Sequence, residues 1–346
     1  MKRSDRKLIK IKTIKKAAVV LVIVALCLMG LAFYLDSIPQ KGIVPDDEIT
    51  PYSYEDEEES LIRYDGKWYK PKASVDTFLL IGVDSYGDNL SDPQFFLNDG
   101  RSDFISLIAV DHDKKAIETI LINRDTMAEV MEIGSLGDRL GTRIMQLALA
   151  HTYGSGRGDS SENVCKAVSG LFFDLPIKKY FRITMDAINV INNDLGGVNV
   201  VIEDEEFSFG SGEEKKTFYR GDEVLLRGDM AESFVRARMS VGAGTNIERM
   251  GRQKTYLLAA RDLAIEKLRE DSSFALNVLS DISSYSCNNL STEEVSMLSK
   301  AIEEYSFHDF IIPTGESKEG PEFMEFYPDQ EDLQRLMIEI WYEETK

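Results

Sequence analysis

Apolar residues in this chain gather in short continuous runs, each closed by charge or glycine. "TFLLIGVD" (77–84), "DFISLIAVD" (103–111) and "AIETILINRD" (116–125) are runs of this kind. They have the length and β-branched content of buried strands. The tetrapeptide "HDKK" joins the second to the third and predicts a hairpin. "IKKYFRITM" and "VNVVI" read as further strands. Helices are predicted at about 143–152 and about 161–173. A short one runs from a capping Asp186 through Asn193, with Gly196 and Gly197 at its stop. Asp229 and Glu232 form a capping-box-like start in "GDMAESFVRARMS". Arg249, Arg252 and Gln253 follow at i, i+3, i+4 and share one helix face, which Tyr256 extends by a turn. Met250, Leu257, Leu258, Ala264, Ile265 and Leu268 supply the buried stripe of that helix. A closing helix is expected at 329–343. Strands alternate with helices without a strict repeat, which predicts an α/β fold: a mixed β-sheet covered by helices.

The first 35 residues follow a different pattern. "MKRSDRKLIKIKTIKK" is basic, and Ala17 to Leu35 then runs without a charge. That length suits one bilayer-spanning helix, and the positive flank predicts a cytoplasmic N-terminus with the remainder outside. A cleaved signal peptide competes with this reading, through the small-residue stretch "GLA" at 30–32. The uncleaved anchor is preferred because the apolar run is long. A Pro- and acid-rich segment comes next, including Glu55 to Glu59, and reads as a solvated stalk. The expected organisation is a cytoplasmic tail (1–16), a transmembrane helix (17–35), an acidic extracellular stalk (36–74), a folded domain (75–270) and a C-terminal extension packed on it (271–346).

Charge narrows the partners. Sixty acidic residues against forty basic give a formal net charge of −20. A sequence-independent grip on nucleic acid needs a basic face, so nucleic acid is excluded as a partner. No phosphate-binding loop, dinucleotide fingerprint, nucleophile elbow or zinc-helix motif occurs in the sequence. Cys27 lies in the apolar run, and Cys165 and Cys287 are too few for a disulfide framework, which leaves a single pair and two buried free thiols both open. His112, His151 and His308 are scattered, and His151 reads as a core or rim residue.

Against that acidity, Arg236, Arg238, Arg249 and Arg252 crowd into "VRARMSVGAGTNIERMGRQK". Arg236 and Arg238 point the same way only if the chain is extended between them. A second cluster sits at strand ends. Arg101 and Asp103 open the second strand, and Arg124 and Asp125 close the third. Hairpin geometry brings those four to one sheet edge. Asp84 joins them if the first strand runs antiparallel to the second. Guanidinium forks match phosphate oxygens. Surface ion pairs and helix caps are the plainer explanation for any single pair.

The ordered set "LLIGVDS", "GRSDFISLIAVD", "ILINRDT", "DLGGVNVVI", "YRGDEVLLRGDMAESFVRARMS" and "RMGRQK" resembles the LytR-CpsA-Psr family over about residues 75 to 270. The resemblance implies an α/β/α sandwich whose pocket takes a lipid chain and whose mouth holds pyrophosphate with Mg2+. It implies transfer of a glycopolymer, such as teichoic acid or capsule polysaccharide, from a polyprenyl-pyrophosphate carrier to peptidoglycan outside the membrane of Gram-positive bacteria. By motif match it assigns Arg101, Asp103, Arg124 and Arg249 to catalysis. Arg236, Arg238, Arg252 and Gln253 fall to pyrophosphate, and Asp84 and Asp103 to the metal. One position departs from the family pattern: Asn246 stands where an Asp is usual, three residues before Arg249. An amide cannot take a proton. A phosphohydrolase with water as acceptor, and a non-catalytic envelope regulator or binding module, are the rival readings.

Overall fold

The structure is a computed structural model that describes residues 61–85, 98–210, 215–237, 246–271 and 273–345. The basic tail, the apolar run at 17–35, the acidic stretch up to residue 60 and Arg238 lie outside the described residues. No helix among the described residues is long and apolar enough to cross a membrane.

Three of the predicted strands form the middle of the molecule. β3 (Val75–Val83) pairs antiparallel with β4 (Ser102–Asp111), and β4 with β5 (Ala116–Ile122). β8 (Lys179–Thr184) lies parallel to β3 on its other side. β13 (Ser286–Asn288) and β14 (Ser306–Phe307) add the two edges of a six-stranded mixed sheet, in the order β13-β8-β3-β4-β5-β14.

Period-two alternation explains why the central runs are apolar throughout. Leu79, Ile81 and Val83 point to one face, and Phe78 and Leu80 to the other. The first face is covered by α1 (Gly158–Leu171) and α7 (Gln330–Trp341), through Val164, Val168, Leu333 and Leu336. The second is covered by α2 (Met185–Asp194), α3 (Met230–Arg236), α4 (Asn246–Glu270), α5 (Phe274–Ile282) and α6 (Thr292–Glu304). Two short antiparallel pairs join this second core. They are β9 (Val198–Val201) with β12 (Glu223–Leu226), and β10 (Glu206–Phe209) with β11 (Lys216–Tyr219). The result is an α/β/α sandwich with a core on each side of the sheet.

Several expectations change. Residues 143–146 are strand, not helix. β6 (Met127–Ile133) pairs with β7 (Arg139–Gln146), and only Leu147–Thr152 coil, as a 3-10 turn. Cross-strand pairing overrides the local helical pattern there. Asp186 lies inside the first turn of α2, with Thr184 at the cap position. Asp229 makes no side-chain capping bond, and Glu232 is drawn away to Arg236 and Asn189.

Strands also precede Val75. β1 (Ile62–Tyr64) and β2 (Lys67–Pro71) form a hairpin completed by the C-terminal β17 (Tyr342–Glu344). Residues 271–346 thus supply sheet edges as well as a covering layer. Among them, β15 (Gly315–Glu319) and β16 (Met324–Pro328) form a hairpin outside the central sheet.

Candidate active site

Hairpin geometry sets the frame. A register shift at Gly82/Val83 turns the end of β3, and the Asp84 N–H then donates to the Arg101 carbonyl at 2.8 Å. Glycine at 82 relieves crowding, because a Cβ there would meet the Phe104 Cβ at 3.0 Å. Asp84, Arg101, Asp103 and Arg124 therefore share one edge of the sheet.

Asp103 is buried between two guanidiniums. Arg124 Nη1 bonds its Oδ1, and Arg249 Nη1 donates to its Oδ2 at 2.9 Å. Arg249 Nη2 also reaches the Asp103 backbone oxygen at 3.3 Å. Asp84 takes a second pair: Arg236 Nη2 at 2.8 Å and the half-exposed Arg101 at 3.6 Å. Arg236 Nη1 donates to Glu232 Oε1 at 3.0 Å, four residues back on its own helix.

Arg252 is placed elsewhere. It is buried at the Asp204 carboxylate (2.7 Å) and the Ala237 carbonyl, beside the Phe207 ring. Gln253 donates to the Val235 carbonyl at 3.4 Å. The arginine face of α4 is thus an interior face: Arg249 and Arg252 are each only 3 % exposed. The apolar stripe assigned to that helix is partly shared with it, since Leu257, Ile265 and Leu268 are only half-buried.

Next to the arginines opens a cleft with about 750 Å³ of empty space. Its walls are apolar, including Leu80, Phe104, Ile188 and Leu257. Asp103, Thr184, Arg236, Arg249 and Gln253 are among its polar lining. Tyr256 lies in the wall, with its hydroxyl donating to Asn192 at 3.3 Å, and burial pushes its phenol up, so it stays neutral. His151 is no acid–base group here. Its Nδ1 faces the Gly100 carbonyl at 2.9 Å, and burial, aided by Arg182, lowers its pKa to about 3. Cys165 and Cys287 are free thiols, and burial raises the pKa of the former.

Three residues that the sequence did not assign to the site tie it together. Asn123 Oδ1 accepts the Asp125 N–H at 2.9 Å and the Asn246 side-chain N–H at 2.5 Å. Asn246 Oδ1 in turn accepts from Arg249 Nη2. Since Asn123 must present oxygen to the Asp125 N–H, the facing atom of residue 246 must be a donor. An amide supplies it, and a carboxylate does not. Gln146 and Glu232 are the other two. A polar residue at the end of an apolar strand run was the available signal for Asn123.

Among the described residues, no three His, Cys, Asp or Glu side chains gather as a metal cage. Asp84 and Asp103 still fit a magnesium ion, which is commonly held by one or two carboxylates plus substrate phosphate oxygens. They lie on adjacent strands, and a carboxylate has about four lone-pair sites, more than the arginines occupy.

This arrangement defines an α/β/α protein with an arginine- and carboxylate-rich rim beside an apolar cleft. The LytR_cpsA_psr family model matches residues 50–306, and the chain belongs to that family. A teichoic acid transferase of Bacillus cereus (strain ATCC 14579), named polyisoprenyl-teichoic acid–peptidoglycan teichoic acid transferase TagU, is 30% identical over 188 residues. That match covers 54% of this chain and 52% of the relative. The chain spans about half the length of the curated relatives it matches. Two solved structures share the fold. Protein gbs0355 of Streptococcus agalactiae has a TM-score of 0.59 at 18% identity, covering 77% of this chain and 86% of that one. A structure of TagT bound to LIIa-WTA has 0.53 at 22%, covering 78% and 90%.

Proposed function

We propose that this chain is a membrane-anchored extracellular phosphotransferase. It moves a glycopolymer from a polyprenyl-pyrophosphate carrier to peptidoglycan. The observation that carries this reading is the juxtaposition of Arg249 and Arg236 with an apolar cleft, because a polyprenyl pyrophosphate has the same two halves. The names of the curated relatives support the same chemistry.

In this mechanism the apolar walls take the isoprenoid chain. Arg101, Arg124, Arg236 and Arg249 hold the pyrophosphate oxygens. Arg252, paired with Asp204, braces α4 beneath them. An acceptor hydroxyl attacks the glycan-bearing phosphorus. The bond to the bridging oxygen breaks, and polyprenyl phosphate leaves with the charge that the guanidiniums stabilise. Each preorganised donor contributes about 3 kcal/mol to such a transition state. Asn246 cannot receive the acceptor proton. The proton passes instead to a carboxylate of the rim, Asp103 or Asp125. Magnesium held by Asp84 and Asp103 would supply further neutralisation of phosphoryl charge.

The test is transfer by the full chain in detergent, with a polyprenyl-pyrophosphate glycan as donor and peptidoglycan fragments as acceptor. Covalent glycan–peptidoglycan product with released polyprenyl phosphate is expected. Free glycan phosphate formed without acceptor would establish the phosphohydrolase instead. Tight donor binding with no turnover would establish a binding module.

A further inference from the structure

The family match ends at residue 306, yet a later hairpin reaches the catalytic rim. β16 is tied to Asp125 at the main chain: the Phe326 N–H donates to the Asp125 carbonyl at 2.9 Å. A parallel bridge between Thr126 and Phe326 continues that contact, and Phe326 is buried. Gln146, also buried, closes the link from the side-chain end. Its Nε2 donates to Asp125 Oδ1 at 3.1 Å and to the Met324 carbonyl at 2.7 Å. The same Asp125 oxygen accepts from Arg124 Nε at 3.3 Å.

We infer that the β15–β16 hairpin and Gln146 form a clamp that positions Arg124 for the transfer reaction through Asp125. The inference rests on the proposed function for what Arg124 does. The geometric argument is independent of it. A guanidinium is planar, and contacts to two different nitrogens fix its tilt as well as its position. Arg124 has one such contact at Nη1, to Asp103, and the other at Nε, to Asp125. Without the second, the group pivots about the Asp103 carboxylate. Asp125 itself needs to be held. Its N–H is fixed by Asn123, its carbonyl by Phe326 and its carboxylate by Gln146. Gln146 has two N–H donors on one nitrogen, enough to serve Asp125 and the hairpin at once. Asp125 and Gln146 are therefore positioning residues. The C-terminal segment completes the site from outside the part that matches the family.

A misplacement of about 1 Å at a catalytic group can cost on the order of a hundredfold in rate. Gln146→Met keeps the side-chain length and removes both donors. It is expected to lower kcat at least tenfold while KM for the polyprenyl-pyrophosphate donor stays within threefold, because Arg236 and Arg249 still bind the ground state. Gln146→Lys restores an N–H donor at similar reach and should recover kcat to within threefold of the parent. Lys318→Ala, a change to the hairpin's outer ion pair with Glu316, is the control and should leave kcat unaltered. Hydrogen–deuterium exchange of the full chain reads the clamp without turnover. Segments 123–126 and 324–326 should exchange faster in Gln146→Met and recover in Gln146→Lys.

If Gln146→Met does not fold, Gln146→Glu serves in its place. A carboxylate facing two acceptors should give the same loss of kcat and faster exchange. Exchange and kcat that match the parent in the Met or Glu variant overturn the clamp. So does a Lys variant no better than Met, which would make Gln146 a matter of shape. A parent chain with no transfer activity sinks the functional reading alone, and the exchange pattern still decides the clamp.

Discussion

Asn246→Asp restores the acid usual in the family, and the structure predicts that it weakens this protein. The amide donates to Asn123 Oδ1, and that oxygen is committed to the Asp125 N–H. A carboxylate at 246 therefore sets oxygen against oxygen at a buried position. Turning Asn123 over to donate would strip the Asp125 N–H of its acceptor. Leaving a buried polar group unsatisfied costs about 1–3 kcal/mol. The new charge gains a stronger bond to Arg249, which offsets part of this. It also adds a third carboxylate to a nest where Asp103 and Asp125 already face Arg124 and Arg249.

We estimate a net loss of about 2 kcal/mol, or on the order of 4–8 °C in Tm at the usual scaling for domains of this size. The introduced carboxylate would also compete with Asp103 for Arg249, so transfer should fall about tenfold or more. A double-mutant cycle isolates the cause. Asn123→Ala in the Asn246→Asp background removes the opposed oxygen, so the two changes together should cost at least about 1 kcal/mol less than their sum. Thermal melts and transfer rates of the four proteins are the assay. An Asn246→Asp chain that melts with the parent, or transfers faster, refutes this account. A hundredfold gain would mean that the native chain is a weakened enzyme.

Other changes separate rate from stability. Arg249→Lys should recover little of the roughly 2–4 kcal/mol of transition-state stabilisation lost in Arg249→Ala, since an ammonium cannot span Asp103 and Asn246 as a fork does; kcat/KM of both variants checks this. Arg252→Ala should act mainly on stability, by leaving Asp204 buried without its cation, at a cost of about 3–5 kcal/mol by thermal or denaturant melt. His151 is held neutral, with a folded pKa of about 3 against 6.5 unfolded, so its contribution is present above pH 6.5 and is lost as pH falls toward 3. Between pH 7.5 and 5 that amounts to about 2 kcal/mol, which should vanish from the pH profile of His151→Gln. Asp194 has the opposite sign: burial, then Asp281, raises its pKa to about 6, so Asp194→Asn should gain Tm relative to the parent as pH rises from about 4 to 6. Chelation of divalent cations should weaken pyrophosphate binding by the full chain at least tenfold, measured by calorimetry.

The parts of this molecule legible in the sequence are those set by local pattern. Unbroken apolar runs identified β3, β4 and β5, because a strand buried on both faces has no polar side. The hairpin then dictated that Asp103 and Arg124 share an edge. The i, i+3, i+4 spacing correctly grouped Arg249 with Arg252 on one helix face. It could not reveal that the face is interior, nor that Arg252 turns to Asp204, a partner 48 residues away. The stretch "RIMQLALA" carries a helical pattern, and only pairing with β6 makes its first half a strand. "GESKEGPEFMEFYP" carries no strand pattern that the sequence reading singled out, and antiparallel pairing makes it the β15–β16 hairpin. Non-local pairing decided each of these, and a single chain read along its length carries no such signal.

The concentration of arginine in an acidic chain now has a physical explanation. Arg101, Arg124, Arg236 and Arg249 stand against Asp84, Asp103, Asp125 and Glu232, so the described rim is charge-balanced, four against four. Burying Arg124 and Arg249 without carboxylates would cost several kcal/mol per ion. The carboxylates therefore keep the rim folded and the forks aimed. The same balance means that an incoming pyrophosphate meets guanidiniums already paired with carboxylates. Under the proposed function, binding is favoured by exchanging a carboxylate contact for a phosphoryl contact at fixed guanidinium geometry, or by a cation that the carboxylates can accept. Asp84 suits that exchange best. It is 15% exposed, and one of its two arginine partners is the half-exposed Arg101. Asp103, locked between Arg124 and Arg249, suits it least. Under the proposed function, Asp84 is thus the carboxylate that releases an arginine, while Asp103 keeps both of its arginines and would meet a cation only through lone pairs they leave over.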